Sequence, residues 1–356
     1  ECNNYAASAV TAQVALRDSQ GTALNTLPFS VPASGTFHLV VNPLVPLNQY
    51  GTYSIDLPGA SSEQTERFRC VTAVYRFAAA GAGKLLDYAY ALPVMDPLTN
   101  SSGGTFNSYN PENGPAPVQN WLSIVNSGTS SLDGNLEIYD QSGTLLNTIP
   151  VSPLAAGARQ DFPLGHDSAV NNGKVVGVYR FVPSNNARPY LAFLIRYSTR
   201  GSSFNYAFPL FASSGTCSGE PVFASTMNPA DNWAELANLS GSPASLTLEV
   251  RNGLGTILAT QDIDLAAFEQ RHVYVNQFLG TANTGLMRIA CESGSDRVLL
   301  QSVFYGMTGA ANPTVAWSYA KQQVGSSATG DQLLAVPINT FFGMANWFRV
   351  SERDLL

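Results

Sequence analysis

The sequence predicts an all-β chain of three tandem antiparallel β-sandwiches, and three observations carry that expectation. Apolar residues recur with period two, the strand period, and almost nowhere with the 3.6-residue period of a helix. A four-residue turn closed by glycine separates alternating runs at 18–21 (DSQG), 140–143 (DQSG) and 252–255 (NGLG). An Asn-Trp pair recurs at 120–121, 232–233 and 346–347, at spacings of 112 and 114 residues.

Self-similarity at a fixed period decides the architecture before any local reading does. Aligning on the glycine-closed turn superposes Asn4, Asn126 and Asn238, and puts Cys2 on Ile124 and Leu236. Asp87-Tyr88-Ala89 recurs as Asn205-Tyr206-Ala207 and Ser318-Tyr319-Ala320, the tyrosines 118 and 113 residues apart. Tyr75-Arg76-Phe77 is read as the counterpart of Tyr179-Arg180-Phe181, and Phe106 as the counterpart of Phe223. Three diverged copies of about 115 residues result. The chain opens a few residues into the first copy, and a fourth begins at Asn346.

Within the middle copy the runs read in order as strands. Leu136 and Ile138 alternate with Glu137 and Tyr139, then comes the turn, then Leu146 to Pro150, 159–164, a denser run over 175–182, then 191–197 and 204–211. Asp-x-x-Gly between two such runs fits a hairpin loop whose last residue takes positive φ, which glycine does without strain. About seven short strands per roughly 100 residues is the pattern of an immunoglobulin-like or fibronectin-like sandwich. The first copy differs by an insertion over 48–66. The expected organisation is a first repeat over 1–97, a connection over 98–119, a second repeat over 120–212, a connection over 213–231, a third repeat over 232–324, a connection over 325–345 and the opening strand of a further repeat over 346–356. Each connection holds an apolar patch, such as Phe106 and Tyr109, Val222 and Phe223, or 333–338, and is expected to lie against a sandwich or add an edge strand.

Composition narrows the function. Of 356 residues only 12% are charged, with a net charge of −7 and 18 Lys plus Arg, against roughly 25% charged in an average soluble domain. No basic cluster exists to neutralise phosphates, which argues against a nucleic-acid partner, and no apolar run has the roughly 20 residues of a helical membrane span. Sandwiches ordinarily guard their sheet edges with lysine or inward-pointing charge. With three Lys in the chain (Lys84, Lys174 and Lys321), these edges are either covered or used for pairing, and uncharged faces can pack laterally without burying unpaired charge.

Catalytic groups are sparse. His38 and His272 share a repeat position that Gln160 takes in the middle copy, and His166 lies in a loop. Recurrence makes them structural positions first. Gly215-Thr216-Cys217-Ser218-Gly219 has the spacing of a nucleophile elbow but no strand-to-helix context. No catalytic residue and no cofactor is expected. Calcium is the only metal for which residues could be named, at Asp262-Ile263-Asp264. An even count of four cysteines in a chain of secreted-type composition suggests two bridges, and Cys2 with Cys70 and Cys217 with Cys291, 68 and 74 residues apart, is the expected pairing, with connectivity left open by the sequence. Four reduced thiols in a cytosolic protein are the alternative. Trp121, Trp233 and Trp347 are expected to anchor cores or domain junctions, with Asn120 and Asn232 bonding the turn that precedes them. Asn100-Ser101-Ser102 and Asn238-Leu239-Ser240 are glycosylation acceptors if the source uses that sequon.

The tail carries Asn346, Trp347, Phe348 and Val350, an opening strand with no sandwich body after it among the 356 residues. Either the chain is a piece of a longer array, or the strand completes the first sandwich of a neighbouring copy and builds head-to-tail fibres. With its Asn-Trp strand, L-x-[IV]-x-[DN]-x-x-G hairpin and [DNS]-Tyr-Ala strand, the chain resembles the tandem immunoglobulin-like repeats of bacterial secreted and cell-surface proteins. That resemblance implies an extracellular stalk, fibre, layer or adhesin and brings no catalytic residues. The expected function is a non-enzymatic extracellular structural protein whose partner is itself. A carbohydrate-binding or adhesive module, stacking surface glycans on Tyr50, Tyr53 and Tyr109, is the alternative.

Overall fold

The computed structural model describes residues 1–46, 49–77, 86–109, 118–200, 203–215, 217, 220–292, 297–308 and 314–323. It is nearly all β, an antiparallel sandwich fold of six small sheets. The first residues build β1 (Cys2–Asn4), β2 (Val10–Asp18), β3 (Ala23–Val31), β4 (Thr36–Phe37), β5 (Gly51–Asp56), β6 (Phe68–Phe77) and β7 (Leu86–Pro93). A second set follows: β8 (Ser102–Asn107), β9 (Val118–Asn126), β10 (Leu132–Asp140), β11 (Leu145–Leu154), β12 (Arg159–Leu164), β13 (Val176–Pro183), β14 (Tyr190–Arg200) and β15 (Ser203–Phe211). The third set is β16 (Val222–Ser225), β17 (Ala230–Asn238), β18 (Ala244–Asn252), β19 (Ile257–Leu265), β20 (Gln270–Tyr274), β21 (Thr284–Cys291), β22 (Val298–Thr308) and β23 (Thr314–Gln322).

The sheet orders repeat. Sheets β11-β10-β13-β8 and β12-β9-β14-β15 face each other, as do β19-β18-β21-β16 and β20-β17-β22-β23. The first set has the sheets β4-β1-β6-β7 and β3-β2-β5, the latter one strand narrower. Core side chains come from both sheets of a pair: Leu122 and Leu194 meet Leu136 and Phe181 in the second, and Leu236 and Leu300 meet Leu248 and Ile289 in the third. Alternation along β10, where Leu136 and Ile138 are buried and Glu137 is not, follows from the pleat.

Strand pairing corrects the register of three landmarks. Tyr75-Arg76-Phe77 lies on β6, which pairs with β1 and β7 and so occupies the place of β14. Tyr179-Arg180-Phe181 lies on β13, whose counterpart is β5, because Gly51 opposes Asp18 as Gly177 opposes Asp140. The two Tyr-Arg-Phe strings thus belong to opposite sheets, and residues 51–56 of the expected insertion are a regular strand of the repeat. What remains inserted includes α1 (Ser62–Glu66), started by a Ser61/Gln64 capping box. In the same way Phe106 corresponds to Ala224, since Gly177 and Gly285 oppose them.

The two stretches read as connections supply β8 and β16, each added antiparallel to the edge of a sheet. Both hang on the Asn-Trp asparagine. Asn120 Oδ1 accepts the Asn107 backbone N–H (3.4 Å) and its Nδ2 donates to Ser108 Oγ (2.7 Å). Asn232 Oδ1 accepts the Ser225 N–H at 3.1 Å.

A second asparagine recurs with the same bonds in all three sets. Asn4, Asn126 and Asn238 are fully buried. Each accepts the backbone N–H two residues on (Ala6, Gly128 and Ser240) and donates to the carbonyl four residues on (Ser8, Ser130 and Ser242). Each also donates to a carbonyl 28 residues on, at Pro32, Leu154 and Ala266 respectively, and the middle Asn reaches Ala155 as well at 3.1 Å. One amide thereby fixes a turn and the distant loop that crosses it. Replacing Asn126 by Leu leaves those loop carbonyls without a donor, so urea unfolding should show a loss of about 3 kcal/mol or more. A change below 1 kcal/mol would mean water replaces the amide at about equal free energy.

Candidate functional site

The features that stand out chemically are two junctions between successive sheet pairs, a buried charge cluster in one of them, and an open groove in the first pair. At each junction the outer face of the Asn-Trp sheet is covered by the preceding pair. Val125, Phe193, Ile195 and Ala207 pack against Tyr88, Tyr90 and Leu92 of β7, and Val303 and Tyr305 pack against Tyr206 and Phe208 of β15. The hairpin tips dock as well. Ser19 O accepts the Arg159 N–H at 2.9 Å and Gln141 O accepts the Gln270 N–H at 3.0 Å. The turn glycines that follow, Gly21 and Gly143, have φ of +85° and +87°, and a Cβ on either would run into a carbonyl of the next pair, Ala156 or Ala267. The glycine expected for turn geometry is therefore also required for docking.

The second junction buries an ion pair. Arg196 of β14 grips Glu235 of β17 through two bonds of 3.1 Å, with both side chains inaccessible to solvent. Asn107 Nδ2 (3.0 Å), Thr105 and Gln301 also donate to the carboxylate, and Arg196 Nε donates to Asn120 Oδ1 at 3.3 Å. The guanidinium lies over the Phe208 ring at 5.4 Å. Burial by itself would raise the Glu235 pKa; the Arg196 charge and these donors overcome it and hold it down at about 2. His272, opposite Glu235 on β20, is held below the ordinary imidazole value by burial, against a smaller opposing pull from Glu235. Arg196 and Glu235 have their polar atoms bonded within the cluster, which holds two sheet pairs together.

The groove lies in the first pair. It is a cavity of about 330 Å³ lined by Val14, Phe29, Phe37, Tyr53 and Ile55 inside, by residues 38–42 along one rim and by 70–73 with Tyr75 along the other. Tyr53 shares a hydrogen bond with Thr72 across it.

The expected site residues fall as follows. Cys2–Cys70 and Cys217–Cys291 are disulfide-bonded, and no described cysteine is free. The Gly-x-Cys-x-Gly string thus offers no thiol nucleophile. Trp233 lies at the second junction, 4.9 Å from the Tyr274 ring. Trp121 enters no core: it is 37% exposed and lies 5.2 Å from the His166 ring, because its strand position points outward while Asn120 and Leu122 point in. Trp347, with Asn346, Phe348 and Val350, lies outside the described residues. His38 is exposed beside Glu1 at 3.2 Å. The middle copy carries Asp161, one residue on from Gln160, at the position of His272, since Asp161 opposes Ser123 as His272 opposes Glu235. Asp262 and Asp264 accept hydroxyl bonds from Thr247 (2.8 Å) and Ser245 (2.6 Å). Among the described residues no three His, Cys, Asp or Glu converge as metal ligands. Tyr50 lies under the Arg159 guanidinium at 5.0 Å, Tyr53 faces the groove and Tyr109 is exposed beyond β8. Asn238 is too buried to accept a glycan; Asn100 is exposed.

Sequence reasoning passed over Arg196 and Glu235. Their one signal was a charged residue within an otherwise apolar or small-residue strand. No family model matches the sequence, and no curated protein matches it either. Among the described residues no helix is long and apolar enough to cross a membrane.

Acid should loosen the second junction. The folded-state pKa of Glu235 is depressed, so its stabilising contribution is complete above about pH 4.5 and lost as the pH falls toward 2. His272 takes up its proton more readily when unfolded, so it also favours folding as pH rises through about 6.5. Glu235→Gln should cost roughly 3 kcal/mol by stranding Arg196, while Arg196→Leu combined with Glu235→Leu should recover most of it. Trp233 fluorescence during denaturation at pH 7 and pH 3 reads both effects; a pH-independent midpoint would contradict the assignment.

Proposed function

We propose that this protein is a non-enzymatic extracellular structural repeat protein that self-associates into a fibre, filament or layer at a cell surface. One observation carries the reading. The outer face of the first pair's Asn-Trp sheet presents Val71, Ala73 and Tyr75, half-buried, and Ala89, Ala91 and Pro93, exposed. By strand register these are the counterparts of Phe193, Ile195, Tyr197, Ala207, Pro209 and Phe211, the face with which the second pair packs against the first. A surface of that composition is a junction surface without a sheet pair against it among the described residues. Two disulfides fit an oxidising compartment. The scarcity of charge fits surfaces that meet protein, since uncharged faces bury without stranding ions.

Association through such a face should depend on concentration and be nearly insensitive to sodium chloride from about 0.05 to 0.5 M, because screening acts on charges, and sulfate should strengthen it. Ala91→Arg, which places a charge in the face, should weaken it. Sedimentation velocity with electron microscopy reads the outcome. A non-interacting monomer throughout would end this reading.

A further inference from the structure

We propose that Asn252 is a self-modification site: in the folded protein its side-chain amide is lost through a succinimide formed with the Gly253 nitrogen, and the ring reopens to aspartate. The three glycine-closed turns differ at their first residue. Two begin with Asp18 and Asp140, and the third begins with Asn252. Each places that residue's Oδ1 on the N–H groups two and four residues ahead: Gln20 (2.9 Å) and Thr22 (2.8 Å), Ser142 and Thr144 (both 2.9 Å), Leu254 (3.0 Å) and Thr256 (2.9 Å). A carboxylate accepts such bonds more strongly than an amide does. At Asp140 burial pushes the carboxyl pKa up, yet the bonds from Ser142 and Thr144, with the Lys174 charge, outweigh it and hold the group below its ordinary value. The third turn thus carries the weaker acceptor between donors that favour a charged one.

Gly253 supplies the nucleophile. Ser19 and Gln141 stand at that place in the other two turns, and a side chain there screens the backbone nitrogen that glycine leaves open. Gly253 and Leu254 are exposed, so water and solvent base reach the peptide. Folding Oδ1 back onto the Leu254 and Thr256 N–H groups brings Cγ over the Asn252–Gly253 peptide, on the side where a five-membered ring closes. The Gly253 nitrogen gives its proton to solvent base and bonds to Asn252 Cγ, and the negative charge passes to Oδ1. The two N–H groups already directed at that oxygen stabilise it, as oxyanion donors do. The tetrahedral carbon then expels Nδ2 as ammonia.

The same two donors select the product. Water that adds to Cγ breaks the new bond and leaves aspartate with an unaltered backbone, whereas water that adds to the Asn252 main-chain carbonyl leaves an isoaspartyl linkage, one carbon longer. Leu254 and Thr256 polarise the Cγ carbonyl, so aspartate is the main product. One water is consumed and one ammonia released, and no other reactant enters. The product accepts the same bonds as Asp18 and Asp140, and the chain adds one negative charge to its −7. Asn172-Gly173 is the comparison within the molecule. Asn172 has φ of +48° and ψ of +39°, and its Nδ2 donates to Leu146 O at 3.0 Å, so the fold there holds the leaving nitrogen. Asn113-Gly114 lies outside the described residues.

The test ages the full-length protein at mildly alkaline pH and physiological temperature. Peptide mapping with electron-transfer fragmentation, which separates aspartate from isoaspartate, reads positions 252 and 172. Conversion at Asn252 should outpace that at Asn172 by at least about tenfold, with aspartate in excess. A synthetic peptide spanning 247–258, which lacks the fixed donors, should give a larger isoaspartate share. Gly253→Ser, which installs the residue of the first turn, should slow conversion by at least about tenfold. Its Cβ would lie 3.2 Å from Thr284 Oγ1, a contact that a side chain can relieve. Conversion at Asn252 no faster than at Asn172, or no faster than in the Gly253→Ser variant, would overturn the site. An isoaspartate share equal to that of the peptide would overturn the steering by Leu254 and Thr256.

Discussion

Burial of one sheet on both of its faces is the constraint from which most of this structure follows. In β22, nine consecutive residues from Val298 are inaccessible to solvent or nearly so: Val298 and Leu300 face the core of their own pair, and Leu299, Val303 and Tyr305 face the preceding one. Burying a side chain of this size contributes roughly 1.5–3 kcal/mol, and half of these side chains bury only because a second sheet pair is there. A repeat separated from its neighbour would expose that half. The repeats are therefore coupled through packed faces, and a 12% charged composition is what a chain with so many two-sided strands can carry.

Two-sided burial also governs the polar residues. A polar group on such a strand meets no water, so each bond it fails to make inside is costly. Asn126 meets that demand with loop carbonyls, Asn120 with β8, and Glu235 with Arg196 and three further donors. The Arg196–Glu235 pair contributes less to net stability than its short bonds imply, because desolvation cancels much of the attraction. Its larger effect is on register. Phe304 takes the place of Arg196 in the third set and Ser123 that of Glu235 in the second, so the pair forms only when the second and third sets meet in this order. Strain collects at the same junction: Phe268 has φ of +57°, a costly conformation for an aromatic residue, and its ring stacks on Tyr139 at 4.1 Å between centroids.

The sequence made the repeat, the turns and the disulfides legible because each rests on local chemistry or on spacing. Asp-x-x-Gly places its own Oδ1 on the two N–H groups that follow, as in Asp140 with Ser142 and Thr144, and such turns look the same in any context. Where tertiary packing decides, single-sequence reasoning slipped. Tyr-Arg-Phe occurs on β6 and on β13, both inner strands of their sheets, and composition alone cannot say which sheet a strand joins. Trp121 is expected in a core or at a domain junction, yet strand parity turns it outward, and parity is set by Leu122 and Asn120 beside it. The charge cluster was invisible because Arg196 and Glu235 come together across a junction, 39 residues apart.

The first sheet pair shows what happens when the constraint is only partly met. The outer face of its sheet β4-β1-β6-β7 carries small residues, alanine at 73 and 91, where the second pair has Ile195 and Pro209. Small side chains leave less apolar surface exposed, which limits the cost of an uncovered face. A disulfide between Cys2 and Cys70 closes a 68-residue loop at the point where β1 and β6 meet, and a cross-link of that length offsets a few kcal/mol of missing packing through the unfolded state. The middle pair, covered on its Asn-Trp sheet and complete in both sheets, has no cysteine at all. The third pair, with four strands in each sheet, carries the second bridge, Cys217–Cys291, so the bridges mark the two pairs that flank the middle one and not a deficit of strand pairing.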